Sequence, residues 1–109
     1  MKRHLAPVSD QVCPKFHRAV ELLGKRWNGA IVRVLLGGPH RFQEMLAAVP
    51  GLSQRLLSER LKELEAEGLV ERRVYPETPV RIEYSLTDQG RDLEPVLSEI
   101  HRWADRWLH

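Results

Sequence analysis

Cys13 is the side chain best equipped for covalent chemistry, with Lys15 and His17 close to it in sequence. It stands at the start of a helical pattern, where the positive end of the helix dipole favours a thiolate. Two readings of it are open. A thiolate there would react with oxidants or electrophiles, whereas a free cysteine is also a small, soft residue that packs well in a buried subunit base. Metal chemistry has little support, because His4, His17, His40, His101 and His109 are scattered and only Cys13 and His17 share a helical pair spacing. Gly24-Lys25 does not open a phosphate-binding loop: the first glycine of that motif would fall at Ala19 and its Ser/Thr at Arg26. No carboxylate pair or nucleophile–base pair stands out, so neither an enzyme nor a cofactor is expected.

A second kind of chemistry is hydrogen-bonding recognition. On a helical wheel of residues 53–67, Leu57, Leu61 and Leu64 share one face. Opposite them lie Arg55, Ser58, Glu59 and Lys62, with Gln54 at the edge. Arg can bridge guanine O6 and N7, and Gln can bridge adenine N6 and N7, so this face has the groups that read a major groove. Ser53 leaves the helix N-terminus free to meet a phosphate. The far end carries Glu63, Glu65 and Glu67, which phosphate would repel, so only the first half of the helix can approach DNA. A merely solvated polar face is the other reading of the same wheel.

These side chains need a frame, and turn residues outline one. Cys13-Pro14 opens a first helix with Phe16, Val20 and Leu23 as its apolar stripe, and Gly24 ends it. Asn28 is expected to cap a second, nearly all-apolar helix that Gly37-Gly38-Pro39 stops. A short helix from about Arg41 to Val49 follows, with Phe42, Met45, Leu46 and Val49 at i, i+3, i+4, i+7. Pro50-Gly51 then turns the chain into the helix capped by Ser53, which ends near Gly68. Beyond Gly68 the period becomes alternating. Residues 70–75 and 80–86 read as a strand pair joined by Pro76-Glu77-Thr78-Pro79, and Thr87 is expected to cap one long helix to the C-terminus. The fold class is mainly α with a small β-hairpin, α+β, in winged helix-turn-helix order.

Within 109 residues, 17 Lys+Arg oppose 15 Asp+Glu, and the net charge of +2 excludes a histone-like coat for DNA. The distribution is uneven: residues 1–41 carry eight basic and two acidic groups, and residues 42–109 carry nine and thirteen. Lys25-Arg26 and Arg41 precede the second and third helices at positions suited to phosphate. Arg72, Arg73 and Arg81 flank the proline-rich tip, a basic projection for a minor groove or a phosphate, although Glu71, Glu77 and Glu83 balance them. An ordinary hairpin that covers the core is the plainer reading of that segment.

Taken in order, these motifs resemble the HxlR-type family of winged-helix transcription regulators, relatives of the MarR group. The residues that carry the likeness are Cys13-Pro14, Gly24-Lys25-Arg26-Trp27, Arg41-Phe42, Gly51-Leu52-Ser53 with Leu57, and Arg60-Leu61-Lys62-Glu63-Leu64. It continues through Gly68-Leu69-Val70, Arg72 with Tyr75-Pro76, Pro79, and Tyr84-Ser85-Leu86-Thr87 with Gly90. Asn28 departs slightly, standing where the family usually has Thr or Ser. The resemblance implies a homodimer on a pseudo-palindromic double-stranded operator, usually as a repressor. It implies DNA contacts from the fourth-helix positions Ser53, Gln54, Arg55, Ser58 and Lys62 and from Arg72 and Arg81 on the wing, which join Lys25 and Arg41 as candidate DNA-binding residues. It also implies that a cysteine at position 13 can sense oxidants or electrophiles, in some members by bridging subunits. A winged-helix module that binds protein partners without specific DNA binding is the alternative.

The last helix supports a dimer from its own pattern. Leu93, Val96, Leu97, Ile100, Trp103, Ala104 and Trp107 recur at 3-4 spacing, and Pro95 lies on the opposite face, expected to kink the helix without breaking the stripe. Two tryptophans on a terminal stripe exceed what one small domain needs, so burial against a second subunit with help from the first helix is expected. The resulting division is a single domain with an arm at 1–12, a recognition helix at 53–67, a wing at 70–86 and a dimerisation helix at 88–108. One cysteine, no apolar span and no secretory pattern favour a cytoplasmic, nucleoid-associated protein with no membrane partner. The operator, the regulated genes and any small-molecule or oxidant effector are left open.

Overall fold

The computed structural model describes residues 12–109. The expected arm at 1–12 therefore lies outside the described residues except for Val12, which is exposed. The elements run α1 (Pro14–Gly24), α2 (Asn28–Leu35), α3 (Phe42–Ala48), α4 (Gln54–Ala66), β1 (Val70–Tyr75), β2 (Arg81–Leu86), α5 (Asp88–Arg91) and α6 (Glu94–Trp107). No described helix is long and apolar enough to cross a membrane.

The core forms where α2, α3 and α4 meet. Ile31, Val32, Met45, Leu57, Leu61 and Leu64 are almost wholly removed from solvent, and Leu69, Val70 and Leu86 extend the cluster to the base of the hairpin. Each such side chain contributes about 1.5–3 kcal/mol of transfer free energy. The leucine stripe of α4 thus fixes which of its faces stays outside.

Local signals explain most boundaries. The Ser53 hydroxyl accepts a hydrogen bond from the Leu56 N–H at 3.1 Å and so caps α4. At the other end Gly68 takes φ +82°, and the Leu69 and Gly68 N–H groups bond back to the Leu64 and Glu65 carbonyls. This paired closure needs a left-handed residue and aims the chain into β1. The antiparallel register runs from Val70 opposite Leu86 to Tyr75 opposite Arg81. His40 adds a single bridge to Tyr84, with N–H···O distances of 3.0 and 2.8 Å in both directions, and ties the α2–α3 connection to the wing.

Two expectations need correction. Asn28 does not cap α2. Trp27 occupies the cap position at φ +81°, and Asn28 is the first helical residue, buried, with its Nδ2 donating to the Leu22 carbonyl at 2.9 Å. A buried amide is better used closing the α1 end than capping a turn already formed by a left-handed residue. The C-terminal helix is also not continuous from 88. Thr87 caps only the single turn α5, accepting from the Gly90 N–H, and the chain breaks at Asp92-Leu93 before α6 begins. The cause is Pro95. It has no N–H to donate, and its ring would collide with the Arg91 carbonyl of a continuous helix, whereas the first turn of a new helix accepts it.

The break divides the expected apolar stripe. Leu93 and Leu97 are half-buried and pack against the domain's own core. Val96, Ile100, Trp103 and Trp107 are exposed on α6, and Val12, Phe16 and Val20 are exposed on and beside α1. Neither α1 nor α6 has a buried residue.

Candidate nucleic-acid interface

The first half of α4 projects its polar side chains outward because the second and third turns are anchored by Leu57, Leu61 and Leu64. Gln54, Arg55 and Lys62 are exposed and Ser58 is half-buried. Arg55 makes a loose i,i+4 pair with Glu59 at 3.6 Å, with 86% of its side chain exposed, so solvent screening leaves it free to rearrange. Arg41 is exposed at the start of α3, where the Glu44 carboxylate accepts the Arg41 N–H at 2.8 Å. Arg72 is exposed on β1. Among the described residues Arg41, Lys62 and Arg72 have no carboxylate within ion-pair distance, so their charge faces outward.

Arg81 and Lys25 are placed differently from the expectation. Arg81 lies over the Tyr75 ring at 3.7 Å and is bracketed by Glu77 at 2.8 Å and Glu83 at 2.6 Å. Its guanidinium is held in the charged form chiefly by Glu77, and the same hydrogen bond draws the Glu77 carboxyl below the usual carboxylate range, with Arg41 adding to the effect. Arg81 therefore stiffens the wing rather than projecting from it. Arg73 is likewise engaged with Glu71 at 2.7 Å, leaving Arg72 as the outward cation of β1. A balanced hairpin charge, visible in the sequence, thus becomes an internally paired wing.

Lys25 reaches back to the acidic end of α4, where its Nζ donates to both Glu63 oxygens at 2.8 and 2.9 Å. That bond is the main cause of a lowered Glu63 pKa. Arg18 makes a forked contact with Glu67 at 2.9 and 3.1 Å, and the Arg60 Nε donates to the Arg26 carbonyl at 3.0 Å. Sequence reasoning missed these roles of Arg18, Arg60, Glu63 and Glu67. The partners of each tie are 34 to 49 residues apart, and the only local signal was the i, i+3, i+7 spacing of 60, 63 and 67.

Cys13 is exposed at the N-cap of α1. Backbone hydrogen bonding from Phe16 first, then Lys15, lowers its thiol pKa, as expected where free N–H groups converge. His17 turns instead to Glu21, 3.6 Å away. Among the described residues no group of three or more His, Cys, Asp and Glu could hold a metal ion.

With this geometry in view, likeness to known proteins is informative. The HxlR-like helix-turn-helix family matches residues 22–109. The HTH-type transcriptional regulator YvaP of Bacillus subtilis is 60% identical over 99 residues, covering 91% of this chain and 92% of YvaP. YodB of the same organism is 50% identical over 100 residues, 92% of this chain and 89% of YodB. The reduced form of YodB superposes with a TM-score of 0.82 over 91% of this chain and 97% of YodB. Diamide-treated and quinone-bound YodB score 0.76 and 0.78. The redox regulator HypR in its oxidised form, 37% identical, scores 0.80 over 86% of this chain and 96% of its own. The chain belongs to the HxlR-like helix-turn-helix family of transcriptional regulators, with the winged-helix fold of MarR-like relatives.

Proposed function

We propose that this regulator works as a homodimer on a pseudo-palindromic operator, as a repressor, with Cys13 as its sensor of oxidants or electrophiles. One observation carries the DNA reading: α4 presents Gln54 and Arg55 to solvent in its first turn and Lys62 on the side away from the leucine stripe, while Glu63 and Glu67 are engaged by Lys25 and Arg18. The helix thus meets a groove with its hydrogen-bonding face, and two of its acids, Glu63 and Glu67, are held against the body. Gln54, Arg55, Ser58 and Lys62 read bases or flank them, Ser53 and Arg41 meet phosphate, and Arg72 contacts DNA from the wing. In this reading 53–67 is the recognition helix, 70–86 the wing, and the stretch 88–108 the dimer base with the break described above. Half-sites then lie about one helical turn, 10–10.5 base pairs, apart.

Arg55→Ala and Lys62→Ala test it, using duplexes selected from random DNA by the wild-type protein. Loss of a bidentate guanine contact at Arg55 is expected to weaken binding by about 5- to 150-fold and to relax preference at one position in each half-site. Lys62→Ala is expected to weaken binding to all sequences and to reduce the salt slope by about one. Wild-type protein without salt-dependent DNA binding would instead mark a protein-interaction module.

The sensing role is supported by the lowered thiol pKa, the exposure of Cys13, and the quinone-bound and oxidised forms of YodB and HypR. Diamide or a quinone is expected to weaken operator binding by wild type and leave Cys13→Ser unaffected; equal responses would remove Cys13 from the mechanism. Because the thiol pKa is lowered, the thiolate persists to lower pH than in an ordinary cysteine. The alkylation rate of Cys13 should therefore reach half its maximum below the pH found for a cysteine-containing peptide.

A further inference from the structure

α1 has two unlike faces. Val12, Phe16 and Val20 form an exposed apolar side. Arg18 and Lys25 lie roughly 180–200° around the helix from Phe16 at about 100° per residue. That second side meets α4 through a polar seam: Arg18 with Glu67, Lys25 with Glu63, and the Arg26 carbonyl with Arg60. Glu63 also lies 3.5 Å from the Arg60 guanidinium, whose side chain is only 13% exposed, so the Lys25 and Arg60 ties share one carboxylate, with the Arg18–Glu67 pair beside them. The Trp27 ring reaches the helix-turn-helix turn, 3.4 Å from where a Cβ on Gly51 would stand. α1 has no buried residue, and half-buried Leu22 is its packing contact with the core, so the polar seam makes up much of what joins this helix to α4.

We infer that Arg18, Lys25, Glu63 and Glu67 are positioning residues that fix the angle of α4 relative to α1 and so set which half-site spacing the dimer prefers. The inference rests on the dimeric DNA-binding reading above. In a dimer whose partner covers the apolar face of α1, each α1 becomes a strut held on one side by the subunit base and on the other by its own α4. None of the four residues has to touch DNA. Their effect is on the distance and rotation between two reading heads.

The experiment uses the duplex selected by wild type, together with duplexes whose centre is lengthened or shortened by one base pair. Glu63→Lys makes α4 more basic and is expected to raise affinity for every duplex, while the preference for the selected spacing falls about two- to fivefold, the scale of an exposed ion pair. The swap Lys25→Glu with Glu63→Lys keeps net charge and restores the preference, and Arg18→Glu with Glu67→Arg does so relative to Glu67→Arg alone. Glu63→Gln serves as a milder variant should Glu63→Lys fold poorly, with dimer mass and melting midpoint as controls. An unchanged spacing preference in both Glu63 variants overturns the inference. So does a loss that the swaps leave unrepaired, because pairing would then not be the cause. Wild-type protein with no DNA preference at all would overturn the functional reading and the seam's role together, which separates that failure from one confined to the seam.

Discussion

Ile100→Glu is expected to convert the protein to a monomer and to weaken operator binding by about 10²–10⁴-fold, the gain that joining two binding modules supplies. Ile100, Trp103 and Trp107 are each more than half exposed on α6, and Phe16 and Val20 are similarly exposed on α1. Isolated surface apolar residues are ordinary, but a run of this kind on two terminal helices without a buried residue between them is the observation that supports the proposed dimer. A carboxylate at position 100 would have to be desolvated in such an interface at a cost of several kcal/mol, whereas in an isolated subunit it would sit in water. Fold and interface therefore separate cleanly. Circular dichroism and the core melting transition should change little, while sedimentation should show half the mass. Wild-type protein that sediments as a stable monomer at micromolar concentration, or an Ile100→Glu variant that remains dimeric, would refute the assignment of this face.

The second large effect concerns the fold. Gly90→Ala is expected to destabilise the domain by about 3 kcal/mol, within the range for overpacking a rigid site. Gly90 is a buried residue of α5, and a Cβ there would press into the Leu69 carbonyl oxygen and stand 3.0 Å from Leu86 Cδ2. The Leu69 carbonyl cannot easily withdraw, because it accepts the Thr87 N–H at 3.0 Å. Alanine in a helix is otherwise better than glycine by about 1 kcal/mol, so the sign of the change reports the steric contact. Gly24→Ala is the matched control: its Cβ would meet nothing within 4 Å. Thermal unfolding should give a drop of more than about 10 °C for Gly90→Ala and no loss for Gly24→Ala. A Gly90→Ala protein as stable as wild type would mean that α5 is not held against Leu69 and Leu86 in this way.

Legibility varied with the range of the interaction. The Ser53 cap, the Gly68 ending and the leucine stripe of α4 were plain in the sequence because each depends on residues within one or two turns. The strand pair was equally plain, since alternation and a proline-rich tip are local. The division of the C-terminal helix was less so: Pro95 announced a disturbance, but whether a helix bends or restarts depends on what the preceding turn packs against, here Leu69 and Leu86 around Gly90. Asn28 read as a cap by residue type, and only the approach of the Leu22 carbonyl gave it another use. Its Oδ1 is buried without a partner among the described residues, a detail no pattern announces.

The candidate site shows the same division. By itself the sequence determined a fourth helix with a hydrogen-bonding first half and an acidic far end, a hairpin whose charges balance, and apolar stripes on the terminal helices, because those properties follow from side-chain type and helical or strand period. Which charges remain available was decided by the folded arrangement, locally within the hairpin for Arg81 and across the fold for Lys25. Arg81 and Lys25 carry the same formal charge as Arg72 and Lys62. Folding brings Glu77 and Glu83 to the first and Glu63 to the second, across two to 38 residues, and leaves Arg72 and Lys62 facing water. Coulomb interactions act through space and fall off with distance and solvent screening, so their outcome waits on the packing of the chain rather than on its order.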